Sequence, residues 1–184
     1  EKLLLGLSHQ DRLPAYLVHS SQRAAVEEAQ KIASGDLDLG LSPNAASRLR
    51  EEVTGVSFNS SFGKILRPLL LSGIAVHHAG MLPRYRRLVE RLAGLGLLKA
   101  ISGTDTLGVG INVPIRTVVM TSLVKFDGTK ERHLTAREFH QVAGRAGRAG
   151  FDTVGYVEVQ APEWEIENAA ALSQAGDDPK KLAK

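Results

Sequence analysis

Four short apolar runs constrain this chain more than anything else in it: Ala15-Tyr-Leu-Val-His-Ser20, Ile74-Ala-Val-His-His78, Leu97-Leu-Lys-Ala-Ile-Ser102 and Arg116-Thr-Val-Val-Met-Thr-Ser122. Runs of this length and composition are those of strands buried on both faces of a parallel sheet. Parallel strands need crossovers, and the sequence supplies helical stretches for them. One runs from Ser21 to about Ser34 and another from Pro43 to Val53, with Ser42 as N-cap and Pro43 at the first position. A third runs from Ser60 to Leu71. After the second apolar run, Met81-Leu-Pro-Arg opens a helix in which Leu82, Tyr85, Leu88, Val89, Leu92 and Leu95 recur at helical spacing. A last strand of alternating character is expected over Thr153 to Gln160, and Ala161-Pro162 ends the sheet. The expected class is α/β, a parallel sheet sandwiched by helices.

Composition sets limits without choosing a function. A chain of 184 residues with 43% hydrophobic and 23% charged residues suits one soluble domain. No apolar run approaches the roughly 18 residues of a membrane span, and Glu1-Lys-Leu-Leu-Leu lacks the features of a signal peptide, so a cytoplasmic protein is expected. Zero cysteines exclude disulfides and thiolate metal sites. The six histidines lack zinc-like spacing, His77 and His78 being adjacent and His133 and His140 seven apart. A net charge of +3 and a sequence pI of about 9.3 permit nucleic-acid binding without demanding it. The chain begins without Met and within an element, which reads as a piece of something longer.

The chemistry concentrates in Gln141-Val-Ala-Gly-Arg145-Ala-Gly-Arg148. Upstream, Thr135 and Glu138 form a capping box, and Leu134 and Phe139 a hydrophobic staple, so a helix is expected to begin at Thr135. That start fixes the register: Phe139, Val142, Ala143 and Ala146 fall on one face and Gln141, Arg145 and Arg148 on another, so a Gln and two guanidinium groups are expected to point the same way. Gly144 and Gly147 inside a helix each cost on the order of 1 kcal/mol against Ala, and such glycines usually make room for something close by. Two forked guanidinium groups make a phosphate chain the expected guest, a solvated helix face being the plainer alternative.

This octapeptide resembles motif VI of superfamily-two helicases, and the surrounding chain is similar to their Ski-type DExH branch. Other motifs follow in order. Ala15 to Ser20 resembles motif IV, which implies Ser20 near a nucleic-acid backbone; capping of the next helix is the structural alternative for Ser20. Family members commonly carry Arg directly after that Ser, whereas here Ser21-Gln22 intervene before Arg23. His77-His78-Ala79-Gly80 and the helix after it resemble motif IVa, which implies phosphate contacts at His78 and Gly80. Gly103-Thr-Asp-Thr-Leu-Gly-Val-Gly-Ile-Asn-Val-Pro114 stands beyond a strand end, where ligands collect in parallel sheets. It looks like motif V, which implies Thr104 and Thr106 on the nucleic-acid track, Gly110 near the ATP γ-phosphate and Asn112 toward the ribose. Leu123-Val-Lys-Phe-Asp-Gly128 resembles a Lys-Phe-Asp-Gly loop typical of the Ski-type branch.

The resemblance implies the second, C-terminal RecA-like domain of a bacterial helicase of that branch, a P-loop NTPase-like fold without its own P-loop. Residues 1–14 then read as a lead-in, 15–161 as the RecA-like domain with a helical insertion at about 35–72, and 162–184 as a linker toward a further domain. Arg145 and Arg148 would serve as arginine fingers and Gln141 would place the attacking water. ATP and Mg2+ would be held with the first RecA-like domain of the same full-length chain, because this sequence has neither Gly-x-x-x-x-Gly-Lys-Ser/Thr nor a DExH run. The fragment alone is therefore expected to be inactive. Single-stranded or structured RNA is the implied partner, DNA remaining open, and no membrane is involved. A non-unwinding translocase and a nucleic-acid-binding module with a degenerate ATPase are the alternatives; no Gly-x-Gly-x-x-Gly has the spacing of a dinucleotide-binding enzyme.

Overall fold

The four apolar runs become β1 (Ala15–His19), β2 (Ile74–His77), β3 (Ala100–Thr104) and β4 (Thr117–Met120), joined by β7 (Tyr156–Val159) in a five-stranded sheet of order β2-β3-β1-β4-β7. Every pairing is parallel. The computed structural model describes residues 2–35, 37–104, 113–126, 129–148, 150 and 152–175. The α/β reading holds, and β2, β3 and β4 are buried along their length because both sheet faces carry helices.

Side-chain contacts assign the faces. Ser102, whose cross-strand partner is Leu17, donates to the carbonyl of Ala25 in α2 (Gln22–Ser34) at 2.7 Å. His77, whose partner is Gly103, lies 3.3 Å from Glu90 in α5 (Pro83–Gly94). Partners share a face and successive residues alternate, so α2 and α5 cover opposite faces. The lead-in folds as α1 (Lys2–His9), whose Leu4 and Leu7 enter the core. Two further helices, α3 (Pro43–Thr54) and α4 (Ser61–Leu71), are capped by Ser42 and Ser60, which accept from the amides of Ala45 and Gly63. Leu49, Val53, Leu66 and Leu70 anchor this pair in the same core.

Between β4 and the motif VI segment lies a hairpin, β5 (Val124–Phe126) paired antiparallel with β6 (Glu131–His133). Glu138 ties it to α6 (Ala136–Ala143). The capping box is complete, the Glu138 amide donating to Thr135 Oγ1 at 3.3 Å and the Thr135 amide to Glu138 Oε2 at 2.8 Å. The same carboxylate takes both prongs of Arg132 at 2.8 Å and Lys125 Nζ at 2.5 Å. These cations and the capping amide hold the Glu138 carboxyl well below the usual carboxylate range.

The helix is shorter than its sequence implies. It ends at Ala143 with Gly144 as C-cap, so Arg145 and Arg148 are not helical and do not continue the Gln141 face. The close neighbour at Gly147 is also not a phosphate. Gly147 adopts φ +94°, donates its amide to the Ile115 carbonyl at 2.9 Å, and packs a Cβ-less surface against the backbone of Gly155. A Cβ at Gly155 would in turn collide with the backbone of Ala146. The two glycines let the chain cross itself where Ala146 bridges Ile115 and the segment turns back toward β7. Arg148 and Arg116 then converge on Asp152, whose side chain is only 3% exposed. Arg148 reaches it at 2.7 Å through both Nε and Nη2, and Arg116 Nε lies 3.6 Å away. After β7, α7 spans Glu163–Ala175.

Two expectations test this packing. A Cβ on Gly103 would strike the His77 carbonyl oxygen in the adjoining strand and stand 2.7 Å from the Tyr16 hydroxyl. Gly103→Ala should therefore lose about 1–3 kcal/mol in denaturant unfolding. Gly94→Ala, with nothing within 4 Å, should be neutral or gain up to about 1 kcal/mol as a better helix former. The second expectation concerns acid. Arg148 above all holds the Asp152 carboxyl at about 2, below its ordinary 3.8, so its contribution is full above pH 3.8 and is lost as the pH falls toward 2. The melting-temperature gap between wild type and Asp152→Asn should be constant near neutrality and close over that acid window.

Candidate nucleotide and nucleic-acid site

Parallel pairing sends all the strand ends to one edge of the sheet. His19 pairs with Thr104 and His77 with Gly103, so Ser20, His78 and Thr104 leave three adjacent strands side by side. Ser20 is exposed, and the cap of α2 is not Ser20 but Ser21, which accepts from the Ala24 amide at 3.1 Å. Arg23, just inside that helix, pairs with Glu27 at 2.6 Å. Gly80 is exposed and lies against the Gln22 side chain, where a Cβ would collide with the amide end. Thr104 is 8% exposed, and its carbonyl accepts from the Tyr16 hydroxyl. Of the other motif V residues, Thr106, Gly110 and Asn112 lie outside the described residues.

His78 is a buried member of this edge, with its ring edge-on to Phe62 at 5.7 Å. Burial first, and the neighbouring His77 second, lower its pKa. His77 is lowered by burial too, against the opposing pull of Glu90. Both imidazoles are therefore neutral near pH 7, and a phosphate at this loop would meet uncharged donors.

Beside these strand ends a cavity of about 190 Å³ opens under the hairpin, lined by Ser20, Ser122, Lys125, Glu138 and Gln141 among others. Gln141 is exposed there, on the last turn of α6. From this edge α6 runs back across the sheet, since Ala146 bridges Ile115 just before β4 starts. Arg148 consequently borders a different cleft, shared with Asp11, Pro14, Lys99 and Arg116 near the amino ends of the strands. Arg145 lies between these positions, half-buried, with its amide bonded to the Val142 carbonyl at 3.1 Å. Thus Ser20, His78, Gly80 and Thr104 fall on one side of the domain, whereas Gln141 and Arg148 border separate cavities.

Several participants are invisible in motif spacing. Asp152 is signalled only as an acid four residues after Arg148, and the hairpin only by Asp127-Gly128, a strong turn dipeptide between short β-prone stretches. Arg116, paired with Asp11 at 2.7 Å, carried no sequence signal. Two guanidinium groups fit an anionic phosphate chain. Among the described residues no group of three or more His, Cys, Asp or Glu side chains is placed to hold a metal ion.

Comparison with known proteins agrees with this architecture. Residues 57–150 match the helicase conserved C-terminal domain. The probable helicase HelY of Mycobacterium tuberculosis is 49% identical over 111 residues, 60% of this chain and 12% of that protein. The antiviral helicase SKI2 of Saccharomyces cerevisiae is 50% identical over 95 residues, 52% of the chain and 7% of that protein. The DExH-box ATP-dependent RNA helicase DExH10 of Arabidopsis thaliana is 47% identical over 92 residues, 50% of the chain and 9% of that protein. The chain thus spans about an eighth or less of the length of these relatives. With a matched segment that contains both His78 and Arg148 on a parallel RecA-like sheet, the chain belongs to the helicase C-terminal domain family, in its Ski-type superfamily-two branch.

Proposed function

We propose that this domain is the second motor domain of an ATP-dependent helicase acting on RNA (or, in the other reading, on DNA), and that it works against a first RecA-like domain of the same full-length chain in the cytoplasm. The observation that carries the proposal is the matched segment 57–150, which includes every motif IVa, V and VI position named above, while the β1–β3 register brings Ser20 alongside.

In this reading Arg145 and Arg148 face the γ-phosphoryl group of ATP held by the first domain and neutralise the charge that develops on it. The orienting of the attacking water is assigned to Gln141 by the family resemblance alone, since Gln141 borders the cavity beside Ser20 and Arg148 the cleft beside Lys99. Gly110 and Asn112 approach the nucleotide from the motif V loop. Mg2+ is assigned with ATP to the first domain, which would carry the P-loop and the DExH run that this sequence lacks. ATP bound across the two domains favours their closure, and hydrolysis releases it. Ser20, His78, Gly80, Thr104 and Thr106 contact phosphate and sugar, so the bound strand moves with this domain. Contacts of that kind are tolerant of sequence, and they weaken with salt to the extent that cations displace counterions.

The test is nucleic-acid-stimulated ATP turnover by the full-length protein. An arginine finger is worth about 10³–10⁵ in turnover, so Arg148→Ala and Arg145→Ala should each lose at least about a hundredfold while nucleic-acid binding is kept. The isolated domain should be silent. Near-wild-type turnover by both variants would remove the finger assignment. Strand displacement by the wild type, measured in parallel, separates a helicase from a translocase that moves without unwinding.

A further inference from the structure

We infer that Asp152 is a positioning residue for Arg148: it grips one edge of the guanidinium and leaves the other edge aimed outward for an incoming phosphate. The inference rests on the finger role proposed for Arg148.

The geometry is side-on. Arg148 donates from Nε to Oδ2 and from Nη2 to Oδ1, both at 2.7 Å, and its backbone amide donates to Oδ2 at 2.9 Å. The Asp152 amide returns a bond to the Arg148 carbonyl at 2.9 Å. Both ends of the arginine, backbone and fork, are thus referred to one carboxylate. The Asp152 side chain is 3% exposed and that of Arg148 29%, so the acid is the buried anchor and the arginine the part that meets solvent. Among the described residues Nη1 of Arg148 has no acceptor, and a guanidinium bound through Nε and Nη2 still presents its Nη1–Nη2 edge to a second anion.

The anchor is itself held. Arg116 Nε stands 3.6 Å from Asp152 Oδ1, its Nη1 is bonded to Asp11 at 2.7 Å, and Gly147 is fixed by its bond to Ile115 one residue before Arg148. Two cations and two anions alternate along Asp11, Arg116, Asp152 and Arg148, so the cluster adds no net charge that would attract a phosphate by itself. What it supplies is direction. A finger that is already oriented in the unliganded domain loses less side-chain freedom when the domains close, and small misplacements of catalytic groups are expensive in rate. The opposite arrangement, a latch that withholds Arg148 until the domains close, would use the same contacts but reverse the effect of removing them.

The experiment is steady-state ATP turnover by the full-length protein with saturating nucleic acid, comparing wild type, Asp152→Asn, Arg148→Lys, Arg148→Ala and the Asp152→Asn/Arg148→Lys double variant, below the melting transition of each. Asp152→Asn should lower kcat about 10- to 100-fold with the KM for ATP within about threefold, the split expected when orientation rather than ground-state binding is lost. Lysine cannot form the side-on pair, so adding Asp152→Asn to Arg148→Lys should change kcat by less than about twofold. An unchanged or raised kcat in Asp152→Asn overturns the inference, the raised value identifying a latch. Equal losses in the wild-type and Arg148→Lys backgrounds also overturn it, since Asp152 would then act through the fold and not through Arg148. If Arg148→Ala retains near-wild-type turnover, the finger role falls and this inference falls with it. Loss in Arg148→Ala beside normal kcat in Asp152→Asn removes the positioning role alone.

Discussion

The parallel pairing of β1 with β3 on one side and β4 on the other is the interaction on which the rest of the domain depends. It places Ala15 opposite both Ala100 and Thr117, so three strands start level and end level. Level carboxyl ends put Ser20, Thr104 and Thr121 in a row without any loop being designed to bring them together, and β2 adds His78 by pairing with β3. Polar side chains reinforce the alignment from within. Thr117 donates to the Arg12 carbonyl at 2.6 Å at one end of β4, and Thr121 to the Val18 carbonyl at 2.8 Å at the other. The Tyr16 hydroxyl reaches the Thr104 carbonyl across the face that Gly103 leaves open, which is why a methyl group at Gly103 is excluded.

A level sheet also explains why the two candidate surfaces separate. The chain leaves the carboxyl edge through the hairpin, returns over the sheet as α6, and must reach the amino edge before β7 can pair in parallel with β4. The stretch from Gln141 to Ala146 carries it from the cavity beside Ser20 to the bridge with Ile115, just before β4 starts. Gln141 is therefore near the strand ends and Arg148 near the strand starts because a parallel strand must follow.

The five strands of the main sheet, the caps at Ser42 and Thr135, and the order of the helices among them were legible because each rests on local chemistry: apolar runs, hydroxyl oxygens at helix starts, and Pro at N1. The extent of α6 was not. Residues 144–148 have a helical pattern, and only the tertiary bridge from Ala146 to Ile115 and the crossing with Gly155 end the helix at Gly144. Gly144 and Gly147 were expected to admit a ligand, and one of them admits the protein's own backbone. A sequence does not state which close approach a glycine serves, since both uses need only the absence of a Cβ. The carboxyl-edge positions Ser20, His78 and Thr104 were easier to group, since strand ends follow directly from strand assignment; that His78 is buried against Phe62 depends on α4, which no motif describes.

Two carboxylates bracket the segment that carries Gln141, Arg145 and Arg148, and they divide its control between them. Glu138 sits at its start, fixed to Arg132 and Lys125 of the hairpin as well as to the cap of α6. Asp152 sits at its end, fixed to Arg148 and close to Arg116, which leads into β4. Between them the backbone is held by the bonds of α6 and by Gly147 to Ile115. The course of the segment thus follows from two ion-pair clusters and one backbone crossing, and not from a continuous helix. A displacement of the hairpin would reach the segment through Glu138, whereas a displacement of β4 would reach it through Arg116 and Asp152.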